Sequence, residues 1–128
     1  MSKTKLVISC FYDSINSIPL GFSWTDTILK LFKNKYKITI LLHGETLKYG
    51  LRSSIYKKKY GKSNPYKIFL KKMVKEGIRI VICEYCLKKD GYNNIQLLKI
   101  IKPIKFSVDY IAQAQLKGKI VIYDANLN

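Results

Sequence analysis

The sequence predicts a single α/β domain over residues 1–128, with a mainly parallel sheet covered by helices on both faces. Three observations lead there. Short β-branched runs alternate with helical hydrophobic periods, the signature of a βαβ series. The runs are continuously apolar, as in Ile38-Thr39-Ile40-Leu41-Leu42 and Ile78-Arg79-Ile80-Val81-Ile82, which suits strands buried on both faces better than a half-solvated antiparallel sheet. A chain of 128 residues that is 48% hydrophobic is long enough for one core, and two independent cores are not expected.

Strands are expected at residues 5–10, 37–42, 78–83, 104–106 and 119–123. The first helix follows from the stripe Trp24, Ile28, Leu31 and Phe32, with Asp26 early enough to complement the helix dipole. The second carries the fullest signals: Asn64 to cap, Pro65 at the first position, Tyr66, Phe69, Leu70, Met73 and Val74 on one face, and Gly77 as a left-handed exit. A third is expected from Asn94 through Ile95, Leu98 and Ile101, stopped by Pro103. A fourth starts at Ser107, turns Val108, Ile111, Ala112 and Leu116 inward, and ends at Gly118. Residues 11–21 and 52–64 are rich in turn formers and lysines and read as loops.

No apolar run approaches the ~20 residues that cross a bilayer, and the run from Leu6 to Tyr12 is too short for a signal core. A cytoplasmic protein with no membrane partner is expected. The net charge of +16 suggests a polyanionic partner. Yet arginine, the residue suited to bidentate phosphate and guanine contacts, is present only as Arg52 and Arg79. Weak, sequence-indifferent nucleic acid binding is therefore expected, collapsing with salt. Tyr49, Tyr56, Tyr60 and Tyr66, interleaved with lysines, offer bases a stacking surface. A non-catalytic oligomeric module presenting lysine patches to nucleic acid or an acidic protein is thus one functional reading.

The other reading rests on Cys83-Glu84-Tyr85-Cys86, at the carboxyl end of the third strand. In open parallel sheets, ligands and catalytic groups gather beyond the carboxyl strand ends, where free N–H groups of the following helix point outward. A thiol there is placed for activation to the thiolate, with Lys88 and Lys89 favouring the anion and Glu84 opposing it. The pair could work as a thioredoxin-like dithiol, Cys83 attacking and Cys86 resolving, or as a sulfur carrier using Cys83 alone. Both could also be buried hydrophobes. His43-Gly44 ends the second strand on the same sheet edge, where His43 could stabilise a thiolate or shuttle a proton, or merely cap a helix. Cys10, after an apolar run, is expected in the core. A zinc site lacks ligands, since one C-x-x-C supplies two and only Cys10 and His43 remain. No G-x-G-x-x-G, P-loop, G-x-S-x-G or H-E-x-x-H is present. No metal or dissociable cofactor is expected.

The order of these motifs resembles the DsrE/DsrF-like (YchN-like) family: Leu41-Leu42-His43-Gly44, Lys75-Glu76-Gly77-Ile78, Ile82-Cys83-Glu84-Tyr85-Cys86-Leu87 and Ala114-Gln115-Leu116-Lys117-Gly118. The resemblance covers nearly the whole chain. It implies a three-layer α/β/α domain with a five-stranded parallel sheet, assembled as a trimer or hexamer. It also implies a relay that passes sulfur between donor and acceptor proteins through a cysteine at the Cys83 position. The sequence departs from the family in the lysine-rich segment 57–62, and in Lys119, where an aromatic commonly follows the glycine.

Overall fold

The structure, a computed structural model, describes residues 3–127. Five strands, β1 (Thr4–Cys10), β2 (Tyr36–Leu42), β3 (Arg79–Cys83), β4 (Ile101–Ile104) and β5 (Ile120–Tyr123), form one sheet in the order β4-β3-β2-β1-β5. Every pairing is parallel. The helices are α1 (Leu20–Phe32), α2 (Ser53–Tyr60), α3 (Lys67–Lys75), α4 (Glu84–Lys89) and α5 (Ser107–Leu116), with 3-10 turns at Gly44–Gly50 and Asn94–Gln96. None is long and apolar enough to cross a membrane among the described residues.

Strand alternation sorts the core. Leu6, Ile8, Cys10, Ile38, Ile40, Leu42, Ile80 and Ile82 face Phe22 of α1, Tyr56 of α2, Leu70 and Met73 of α3, and Leu87 of α4. The other face presents Val7, Leu41 and Val81, on which α5 lays Ala114, Tyr110 and Ile111. The chain steps across from β1 to β4 with its helices on the first face, then returns over the second through α5 to place β5 outside β1. The expected three-layer architecture with a five-stranded sheet is present.

Several local expectations are corrected. The helix expected from Asn94 is absent: Asn93 caps a single 3-10 turn, accepting from the Ile95 N–H at 3.1 Å while Gln96 reaches back to the Asn93 N–H at 2.9 Å. The chain then enters β4 at Ile101, three residues earlier than expected and through Pro103. A proline that lacks the ladder donor is tolerated because β4 is an edge strand. The expected loop 52–64 contains α2, whose only buried residue is Tyr56. Asn64 braces that region, donating to the Tyr49 and Leu51 carbonyls at 2.9 and 3.1 Å and accepting from the Tyr66 N–H at 3.0 Å.

Both helix stripes are rotated from expectation. In α5 Ile111 packs inward as expected, with Ser107 and Ala114 buried, while Val108 and Leu116 are 63% and 80% exposed and Ala112 also faces out. In α1 the buried face is Gly21, Phe22 and Thr25, leaving Leu31 and Phe32 exposed. Asp26 sits beyond the first turn and pairs with Lys30 at 2.9 Å.

Gly21 sets that rotation. A Cβ at Gly21 would overlap the Cys10 sulfur, so only glycine lets α1 rest on the end of β1 and drive Phe22 into the core. Gly21→Ala should destabilise the fold by about 1–3 kcal/mol, the range for overpacking. Urea denaturation of this variant alone and in a Cys10→Ala background checks the cause: the cost shrinks when the sulfur is gone, and an equal cost in both backgrounds contradicts the contact.

Candidate functional site

The carboxyl ends of β1, β2 and β3 bring Ser9, His43 and Cys83 to one edge, and the start of α5 closes over them. Cys83 is the last residue of β3 and the N-cap of α4. Its sulfur is completely buried and accepts two backbone N–H groups, from Cys86 at 3.4 Å and Ser107 at 3.3 Å. The first donor exists because α4 starts at once, leaving the N–H groups of its first turn without helical partners. The second comes from the first residue of α5, brought there by the return crossover. Two donors aimed at one sulfur form a cradle for an anionic sulfur species.

Cys86 lies one helical turn on and is half-buried. Burial pushes its thiol up to about 11, and its hydrogen bond and electrostatic interaction with the Cys83 sulfur push the same way. The Gly44 N–H and the Ser107 side chain also hydrogen-bond it. Cys86 is therefore a neutral thiol in contact with the cradled sulfur. Glu84, expected to oppose a thiolate, is held low by hydrogen bonds from Asn94 and Lys88, at 2.9 and 3.1 Å. Lys88 is thus committed to Glu84 rather than to the thiols. Cys10 is fully buried and burial pushes its thiol far up, so it is an inert core residue.

His43 reaches the same edge but turns towards β1. Its Nε2 lies 2.7 Å from the Ser9 Oγ, and the Phe11 ring meets it edge-on. Burial pushes its pKa down to about 4, so the imidazole is neutral at physiological pH and contributes a hydrogen bond rather than a positive charge. Gly44 adopts a left-handed φ of 58°, and a Cβ there would run into the Phe11 ring. Glycine therefore permits the turn that brings its N–H to Cys86.

Beside Gly44 opens a recess of about 410 Å³, lined also by Asp13, Glu45, Lys48, Tyr60 and Tyr92. Asp13 organises its wall, accepting from the Tyr49 hydroxyl at 2.9 and 2.8 Å and pairing with Lys48 at 2.7 Å. Burial alone would raise the Asp13 pKa; the hydrogen bonds from Lys48 and Tyr49 outweigh it and leave the carboxyl below its usual range. A depressed folded-state pKa stabilises fully above the ordinary carboxylate range, and the contribution is lost as pH falls through it. Asp13→Asn should therefore flatten the fall in urea midpoint between about pH 5 and pH 3. An unchanged slope contradicts the assignment.

Sequence reasoning missed Ser107 and Ser9. Nothing local marks either, because their roles come from contacts 24 and 34 residues away. The tyrosines read as a base-stacking surface are largely consumed by one another: Tyr49 and Tyr56 are buried and stacked, and Tyr66 meets Tyr49 edge-on. Among the described residues, no group of three or more His, Cys, Asp or Glu side chains converges to hold a metal.

Comparison with known proteins places this arrangement. Over 94–95% of the chain, the fold matches three solved structures. They are MTH1491 from Methanobacterium thermoautotrophicum, a protein of unknown function (TM-score 0.76, 15% identity, all of that chain), the ychN protein from E. coli (0.68, 16%, 99%), and BT1422 from Bacteroides thetaiotaomicron, a conserved protein of unknown function (0.59, 15%, 94%). At these identities the likeness is one of fold. No functionally curated protein matches the chain. The model of the DsrE/DsrF-like family matches residues 6–123, nearly the whole of the sheet and its helices, and the chain belongs to that family.

Proposed function

We propose that this protein is a small cytosolic sulfur relay that carries sulfur as a persulfide on Cys83. The observation that carries the reading is the pair of backbone N–H groups on the Cys83 sulfur, with the neutral Cys86 thiol hydrogen-bonded beside it. Family membership and three free cysteines support it.

In the loading step the Cys83 thiolate attacks the outer sulfur of a donor persulfide, R–S–SH. A new S–S bond forms, the donor S–S bond breaks, and R–S⁻ leaves with the bonding pair, giving Cys83–S–SH. An acceptor thiolate then attacks the same outer sulfur and returns the Cys83 thiolate. A second exit uses Cys86: its sulfur attacks the inner sulfur, its thiol proton passes to the departing HS⁻ so that H2S leaves, and a Cys83–Cys86 disulfide closes, which a thiol reductant reopens. Because the Cys83 sulfur is buried and hydrogen-bonded to the half-buried Cys86 side chain, loading requires a local opening, which this reading assigns to a rotamer change at Cys86. The recess beside Gly44 is where a donor or acceptor segment would approach. Intact-mass measurement after exposure to a small-molecule persulfide tests the reading: the folded protein gains one sulfur, removable by thiol. No mass gain rejects it.

The relay is further proposed to work as a closed homo-oligomer, trimer or hexamer. Among the described residues α5 is the only helix on its face of the sheet, and it turns Val108, Ala112 and Leu116 outward at helical spacing, an apolar stripe that a neighbouring copy would cover. Light scattering at micromolar concentration should give a multiple of the 14.9 kDa chain mass. Particles of single-chain mass reject the assembly.

A further inference from the structure

The opposite end of the sheet carries a feature that the thiol chemistry does not use. At the amino ends of the strands, on the α5 face, alternation sets three lysines side by side. Lys5 is level with Lys37, and the pairing of Leu6 with Ile120 sets Lys119 level with Lys5. Arg79 follows on β3, level with Thr39. These five side chains line a recess of about 230 Å³.

Like charges directly across neighbouring strands are destabilising, and among the described residues no ion pair relieves them. Among the described residues, the ion pairs are Asp26–Lys30, Glu76–Lys33, Asp13–Lys48 and Glu84–Lys88, and none involves these cations. Burial and the repulsion of Lys5, Lys117, Arg79 and Lys37 hold the Lys119 ammonium below the ordinary lysine range. Meanwhile Asp13, Glu45 and Asp90 gather at the other end, around the recess beside Gly44. Those three acids and these cations stand at opposite ends of the strands, and Glu76, next to the recess-lining Gly77, is paired with Lys33.

We propose that this recess binds a short phosphate chain, either free polyphosphate or the phosphate tail of a nucleotide. The chemistry matches: lysine point charges, one guanidinium able to hold two oxygens at once, and a threonine hydroxyl. The recess is concave, which favours a compact anion over an extended one. No aromatic ring lines it, so a nucleobase has nothing to stack on and the phosphates carry the recognition. An anion here supplies the charge compensation the fold lacks.

The test is calorimetric titration of the intact protein with tripolyphosphate, ATP, adenosine and a single-stranded oligonucleotide, at near-physiological salt. Tripolyphosphate should bind at one site per chain, ATP within about threefold of it, and adenosine not at all. Lys37→Gln with Arg79→Gln should weaken tripolyphosphate at least about tenfold, the loss of one or two charge-assisted contacts. Lys57→Gln, Lys58→Gln and Lys59→Gln together, on α2, should change it less than about twofold, since they lie outside the recess. Lys37→Gln alone should also raise the melting temperature of the free protein, a sign that a folding defect cannot mimic. Equal losses from both sets of variants mean diffuse charge and overturn the site. ATP binding far tighter than tripolyphosphate overturns the phosphate-chain reading, as does an oligonucleotide that outcompetes both. Sulfur loading at Cys83 is measured separately, so either proposal can fail alone.

Discussion

Cys83→Ser is expected to abolish sulfur uptake while leaving the fold intact. Serine is nearly isosteric, and its oxygen can still accept the Cys86 and Ser107 N–H groups that the sulfur accepts now. What is lost is the nucleophile, because a serine hydroxyl does not attack a persulfide at neutral pH. Cys86→Ala should act in the opposite direction. It removes the side chain in contact with the buried sulfur, so loading speeds up, and it removes the thiol that would expel HS⁻, so the adduct lives longer. Intact mass followed in time on the two variants reads both effects. Persistent uptake by Cys83→Ser would move the carrier to Cys86, and a slower Cys86→Ala would show that Cys86 assists loading.

Ser107→Pro should slow loading about ten- to hundredfold, because it deletes one N–H donor to the sulfur that becomes anionic as it attacks, a contact worth roughly 1.5–3 kcal/mol. The position suits the substitution. Ser107 is the first residue of α5, where proline is favoured and the N–H makes no helical bond. Phe106 before it, at φ −153° and ψ 131°, already has the extended conformation that a following proline requires. Ser107→Ala is the control: it keeps the N–H and loses only the hydroxyl hydrogen-bonded to Cys86, so its loading rate should stay near that of the unsubstituted protein. Equal slowing in both variants would assign the effect to the hydroxyl, and no slowing in either would deny the cradle a part in loading.

The strands were legible because they are continuous apolar runs, and α3 because Gly77 and its apolar face agree, although it starts at Lys67 with Tyr66 as N-cap, so Pro65 precedes it and Asn64 bonds the Tyr66 N–H in the turn before it. α2 was hidden because its sequence, with three consecutive lysines, has no apolar period; it is held by Tyr56 stacking on Tyr49. Pro103 argued against a strand that an edge position tolerates. The inward face of α5 was read correctly at Ile111 but misled elsewhere, because the helix meets the sheet through Ala114, Ile111 and the buried Ser107 and keeps Val108 and Leu116 outside. At the site, the placing of Cys83, Cys86 and His43 on one edge could be read from strand ends alone. The burial of Cys83 could not, since it depends on α5 crossing back over β3. Nor could the neutrality of His43, which follows from its enclosure against Ser9 and Phe11.

Fragment mass analysis of the sulfur-loaded protein locates the sulfur that the proposed relay carries on Cys83, inside the cradle. Three thiols compete, and the structure gives each a different standing: Cys10 sealed in the core, Cys86 neutral and half-buried, Cys83 held by two N–H groups. After brief exposure to a persulfide and blocking of the remaining thiols, the extra sulfur is expected on the fragment containing Cys83, with Cys86 carrying the blocking group. Extra sulfur on Cys86 with Cys83 unmodified would contradict that placement.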